Sequence, residues 1–278
     1  MGFTLDGFLA SLRLKEVGAD RYVADNIDTG HFVVFGGQLL AQSIAAARVG
    51  QDGKWVKTLH TVFARAASPD RPVEITVERL HGGRWLASST VTVSQGARLC
   101  TRSMVLLGAD EPDFIRHADR PRAPAGPLAA VSRRPQPDGG WELRVADGAD
   151  FDDPEAVGPP RLDVWTRFAG APDDRTTAQA LLAYATDGFL IGTAMRPHRG
   201  VGQALAHRTV STGVLSHTLT FHEPFSAADW LLLAHHSPYA GRGRAYGRAD
   251  VFEENGRLVA SFVQDSMVRA MRGDRGGL

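Results

Sequence analysis

From Val73 to Glu78 apolar and polar residues alternate without a break, Val73-Glu74-Ile75-Thr76-Val77-Glu78, the period of a strand with one buried face. Val56–Arg65, Trp85–Ser94 and Leu99–Leu107 read as strands too. Between the four runs stand Ser68-Pro69-Asp70, Gly82-Gly83 and Gln95-Gly96, residue types that close turns. Ahead of them the segment near Gln38–Val49 has the pattern of a helix. Across Gln38–Ala47 only Gln38, Gln42 and, weakly, Ser43 are polar. A helix apolar nearly all round has to be enclosed, which predicts a curved sheet wrapped about it.

The order helix, then four strands, occurs twice. Ala178–Asp187 is a second Ala-rich apolar helix, expected to end near Leu190, with Asp173-Asp174-Arg175-Thr176-Thr177 as its source of N-caps. Strands are expected at Arg161–Phe168, Thr212–Phe221, Trp230–Ser237, Arg244–Glu253 and Leu258–Val268, with Glu254-Asn255-Gly256 as a hairpin turn. The His-Thr-Val/Leu core of Leu59-His60-Thr61-Val62-Phe63 returns in Ser216-His217-Thr218-Leu219. A repeat this long suits two fused copies of one small domain rather than a solenoid. The expected class is therefore α+β, with two tandem units that each wrap an antiparallel sheet around a long apolar helix. Their expected bounds are 1–108 and 161–272. Residues 109–160, rich in Pro, Asp and Gly, read as a linker, and 273–278 as a flexible tail.

Composition narrows the function classes. Lys+Arg and Asp+Glu both number 31, so no net field draws the chain to nucleic acid or to an anionic membrane. A single cysteine, Cys100, excludes an internal disulfide and Cys-rich metal sites. The apolar runs Trp230–Ala234 and Phe189–Ile191 are too short to cross a bilayer, and the N-terminus has no signal-like stretch. A cytoplasmic protein is expected.

The candidate chemistry is sparse. No Gly-x-Ser-x-Gly elbow is present, and the histidines lack metal-ligand spacing. His60 and His217, matched in the repeat, suggest a shared structural hydrogen bond. Gly241-Arg242-Gly243-Arg244 reads as a turn into a strand, whose Arg242, Arg244 or Arg248 could meet phosphates. Asp187 is an acid among Leu181, Leu182, Phe189, Leu190 and Ile191; burial there would raise its pKa toward that of a general base.

Five motifs in order carry a resemblance: Val34-Phe35-Gly36-Gly37-Gln38, Ala183-Tyr184-Ala185-Thr186-Asp187, Phe221-His222-x-Pro224-Phe225, Trp230-Leu231-Leu232 and Leu258-Val259-Ala260-Ser261-x-x-Gln264. Together the set resembles the type II acyl-CoA thioesterases, which are double-hotdog proteins. The resemblance implies hydrolysis of an acyl-CoA to a fatty acid and CoA, without metal or bound cofactor. It also implies that Asp187 and Gln264 position the attacking water. Gly37, Gln38, Arg242 and Arg244 are the expected substrate contacts, and a homo-oligomer is expected. A third family position, a threonine, is Val214 here. Valine has no hydrogen-bonding side chain. Counting in twos, Thr212 and Ser216 share the strand face of Val214, and Ser216 is the expected substitute. The alternative is a non-catalytic acyl-CoA-binding or scaffold protein. A hydratase would need a His or Asp pair near the helix that the sequence does not offer.

Overall fold

A computed structural model describes residues 2–30, 32–121, 126–134 and 140–271. The expected tail 273–278 lies outside the described residues. The first unit runs α1 (Leu5–Ser11), β1 (Lys15–Gly18), β2 (Arg21–Ala24), α2 (Gly36–Arg48), β3 (Trp55–Phe63), β4 (Val73–Gly82), β5 (Leu86–Gln95) and β6 (Arg98–Gly108). It is followed by β7 (Val131–Arg134), β8 (Trp141–Val145), β9 (Arg161–Phe168), α3 (Arg175–Thr186) and α4 (Leu190–Met195). The chain ends through β10 (Val210–Phe221), β11 (Leu231–Gly241), β12 (Arg244–Glu253) and β13 (Leu258–Ala270).

Among the described residues all 13 strands form one antiparallel sheet, in the order β1-β2-β4-β5-β6-β3-β10-β13-β12-β11-β9-β8-β7. The two units meet where β3 pairs with β10 in the middle of the sheet, so the backbone ladder is continuous across the chain. His60 stands opposite Thr218 and Thr61 opposite His217. His60 is exposed and bonds Thr218 through Nδ1 at 2.7 Å, whereas His217 is wholly buried. The expected shared role of the two histidines therefore fails. Residues opposite each other in an antiparallel pair share a face, so His60 lies on the side of Thr218 and His217 on that of Thr61, the other face. Moving the repeat by one residue restores the match: Leu59, Thr61 and Phe63 then align with His217, Leu219 and Phe221, all on the inner face.

The inner face holds the helices. Leu40, Ala41, Ile44, Ala46 and Ala47 of α2 are completely buried, and α2 packs along α3. Burial of a side chain such as Leu40 or Ile44 is worth about 1.5–3 kcal/mol. Among the buried polar groups of α2, Gln42 Nε2 donates to the carbonyls of Ser11 and Asp25, and Ser43 donates to Leu39, while Gln42 Oε1 has no partner among the described residues. The helices cross closely at Gly37, where a Cβ would fall 2.5 Å from the Tyr184 carbonyl oxygen.

The second unit departs from the expectation of one long helix. Its helix ends at Thr186, with Asp187 as C-cap, and restarts at Leu190 as the short α4. The apolar run through Phe189-Leu190-Ile191 hid this break. Segment 109–160 also differs from a plain linker. Within it β7 and β8 extend the sheet, and Trp141, Leu143 and Val145 enter the core. Trp141 stacks on Phe168 at 5.6 Å and donates through Nε1 to Thr166 Oγ1 at 2.8 Å.

Candidate active site

The break between α3 and α4 places Asp187 at the N-terminus of α2. Phe35, the N-cap residue of α2, offers no side-chain bond to the first turn. Asp187 supplies that bond from the other unit: its Oδ2 accepts the Gly37 N–H at 3.0 Å. The approach requires glycine, because a Cβ on Gly36 would fall 2.6 Å from Asp187 Oδ2 and 2.9 Å from Phe63. Burial pushes the Asp187 pKa up to about 7, against the smaller opposing effect of the Gly37 hydrogen bond. Asp187 nevertheless keeps part of its surface open.

Gln264, almost fully buried on the inner face of β13, reaches the same carboxylate. Its Nε2 donates to Asp187 Oδ1 at 3.2 Å and to His217 Nδ1 at 2.9 Å, with the Thr186 carbonyl at 3.5 Å. The structure thus brings together Asp187 and Gln264, the two residues expected to position the attacking water. His217 and Thr186 were not anticipated in the cluster. His217 Nε2 lies 3.2 Å from Thr186 Oγ1, and its ring stacks on Phe262 at 5.5 Å. Burial, and secondarily the charge of His60, lower the His217 pKa to about 3, so the ring is neutral.

Ser216 does not join them. The register of β10 against β13 shifts between Val214 and Ser216, and this bulge reverses the count in twos. Val214 lies opposite the buried Ser266, whereas Ser216 lies opposite Asp265 and the exposed Val62, on the face away from His217. Ser266, two residues along β13 from Gln264, is an inner-face hydroxyl at the level of Val214.

Of the expected substrate contacts, only Gly37 touches the carboxylate. Gln38 is buried with both ends of its amide occupied, Oε1 by the Ile27 N–H and Nε2 by Asn26 Oδ1. Arg244 pairs with Asp265, and Arg242 sits in the β11–β12 turn with φ 54°. Arg244 stands opposite Met267, three residues from the Gly247–Gln264 pair, so neither arginine reaches the carboxylate's immediate surroundings.

Gly188, the chain neighbour of Asp187, borders a cavity of about 720 Å³ that is also walled by Phe3, Phe35, Trp141, Tyr184 and Phe189. Exposed Asp152, His207 and Arg208 stand among its polar lining. An apolar pocket of this size with a few convergent polar groups is the usual form of a small-molecule site. Among the described residues no three His, Cys, Asp or Glu side chains gather as metal ligands, and no helix is long and apolar enough to cross a membrane.

Two family models cover most of the chain. Residues 23–108 match the acyl-CoA thioesterase N-terminal domain, and residues 109–268 match the acyl-CoA thioesterase C-terminal domain. The chain belongs to the acyl-CoA thioesterase family. The C-terminal match begins at residue 109, so it takes in the segment that holds β7 and β8. Acyl-CoA thioesterase 2 of Haemophilus influenzae is 25% identical over 97% of this chain and 99% of its own length. The crystal structure of acyl-CoA thioesterase II TesB2 from Mycobacterium marinum superposes with a TM-score of 0.80 at 25% identity, covering 96% of this chain and all of that one. A hot dog fold protein from Alicyclobacillus acidocaldarius, at 19% identity and a TM-score of 0.75 over 95% of this chain and 98% of its own, agrees in fold.

Proposed function

We propose that this thioesterase hydrolyses an acyl-CoA to a free acid and CoA, with Asp187 as the base and Gln264 as its brace. The observation that supports this most is a carboxylate with its pKa raised to about 7, held by Gly37 and Gln264, whose chain neighbour Gly188 lines an apolar-walled cavity. A base tuned near neutral pH is half ionised there and takes a proton efficiently. In the proposed reaction Asp187 accepts a proton from water while the water oxygen bonds to the thioester carbonyl carbon. The carbonyl electrons move onto oxygen, whose charge is stabilised by the positive end of the α2 dipole. The C–S bond then breaks, and the departing sulfur takes the proton back from Asp187. The aromatic-walled cavity receives the acyl chain, while the polar groups at His207 and Arg208 face the nucleotide end.

The homo-oligomer is retained as part of this reading. The outer sheet face leaves Val62, Met104 and Leu106 at 49%, 50% and 41% exposure, an apolar surface that a second copy would cover.

The rival reading, an acyl-CoA-binding protein without turnover, is favoured by the absence of a hydroxyl at Val214. Thiol release from acyl-CoAs of graded chain length separates the two. Turnover that disappears in Asp187→Asn supports hydrolysis; tight binding with no turnover at any chain length supports the rival.

A further inference from the structure

Gln264 Oε1 is buried and has no hydrogen-bond partner among the described residues, although the other end of the same amide makes two bonds shorter than 3.3 Å. A buried acceptor left unpaired is costly, so an orphan of this kind calls for an account. The surrounding groups explain why the amide cannot relieve it by turning over. Thr186 Oγ1 donates to the Ala183 carbonyl at 2.9 Å, so its one hydrogen is spent and it can only accept from His217 Nε2. His217 therefore carries its proton on Nε2 and presents a bare Nδ1. Only the NH2 end of Gln264 satisfies that acceptor, and its second hydrogen satisfies Asp187 Oδ1. A turned amide would set oxygen against both Nδ1 and a carboxylate oxygen. Every bond in this chain runs in one direction, from Gln264 through His217 and Thr186 to the backbone of α3.

The geometry points to His217 and Thr186 as positioning residues that lock the Gln264 amide, so that Nε2, and not Oε1, braces Asp187. Holding the carboxylate in one orientation matters because a displacement of about 1 Å can cost on the order of 100-fold in rate. Neutrality of the ring is part of the device: a doubly protonated His217 would have no acceptor for Gln264. Burial is the main influence that keeps the ring neutral, and His60 on the outer face of β3 acts in the same direction. No charged side chain among the described residues contributes to the Asp187 shift.

The inference rests on the hydrolase reading, and the test has one arm that does not. In protein labelled with 15N-histidine, and assigned against His217→Asn, long-range nitrogen–proton correlations report the tautomer of each ring. His217 is expected as the Nε2–H form, remaining so at about pH 5 where an ordinary histidine is charged. An Nδ1–H or charged ring overturns the inference, whether or not the protein turns over substrate. The kinetic arm uses Thr186→Val and Thr186→Ser, with rates scaled to the folded fraction. Thr186→Val should lower kcat about 10- to 100-fold with KM nearly unchanged. It should also raise the midpoint of kcat against pH, because a freed amide brings its oxygen against Asp187. Thr186→Ser, which keeps the hydroxyl, should restore most of both. An unchanged kcat and midpoint in Thr186→Val overturns the inference. Absence of thiol release from the unaltered protein would instead defeat the hydrolase reading, and the tautomer would still decide the hydrogen-bond chain.

Discussion

At the scale of single residues, Asp187 serves two ends that oppose each other. It caps α2 through the Gly37 N–H, yet the burial that makes this contact possible penalises its charge. A pKa raised from 3.8 to about 7 means that the folded state holds the proton more tightly than the unfolded chain. Its contribution to stability is therefore complete below about pH 4 and is lost as pH rises to about 7. Asn keeps an oxygen for the Gly37 N–H and cannot ionise. Asp187→Asn should unfold at a higher temperature than the unaltered protein at about pH 8, and no differently at about pH 4. The gain is bounded by about 4 kcal/mol, from roughly three pH units, and solvent at the open part of Asp187 reduces it. A lower melting temperature at alkaline pH would refute the buried-charge account. Asp187 and Gln264 were legible in the sequence because five motifs fixed their places. Ser216 was misread because a bulge is invisible to counting in twos. His217 was missed for a related reason, since a lone strand histidine carries no sign of which face it takes.

At the scale of elements, the site depends on how closely α2 can approach the end of α3. Gly37 allows that approach: a Cβ there would fall 2.5 Å from the Tyr184 carbonyl and 2.9 Å from its Cα, backbone atoms that cannot swing aside. Gly37→Ala should lower stability by about 1–3 kcal/mol in denaturant titration, the usual cost of overpacking. It should also depress kcat, because the N–H that holds Asp187 moves with the helix. Wild-type stability in this variant would mean that the crossing is looser than described. The strands β3 to β6 and β9 to β13 were legible to within a few residues, since their alternation is regular and their turns are marked by Gly, Pro or Asn. β8 was not, although Trp141-Glu142-Leu143-Arg144-Val145 alternates. Five residues between Pro- and Asp-rich loops read as part of the loop, and only packing on Phe168 and Tyr184 shows that Trp141 belongs to the core.

At the scale of the whole molecule, two units share one sheet, and the groups proposed for catalysis gather at their junction: Gly37 comes from the first unit, Asp187 and Gln264 from the second. A duplicated pattern in the sequence revealed the two units. The division of labour between them was legible only in part, through the absence of an acid on the first helix. The same burial shapes the response of the fold to acid. His217 and His235, with pKa values lowered by burial from 6.5 to about 3 and about 4, must stay neutral in the folded chain. Their stabilising effect is lost as pH falls below about 6.5, while Asp187 gains in the same window. Two groups outweigh one, so stability should fall by about 1.4 kcal/mol per pH unit near pH 5 from these three sites. A melting temperature that rises from about pH 7 to about pH 5 would contradict this balance. The central claim is that Asp187 is the base of a thioester hydrolysis, and one measurement reaches it directly: kcat for thiol release from a saturating acyl-CoA, from about pH 5 to about pH 9, in the unaltered protein and in Asp187→Asn. The account predicts a rate that rises with pH through a midpoint near 7 and a loss on the order of 100- to 10,000-fold in the variant. A rate that is flat with pH, or that survives in Asp187→Asn, would contradict it.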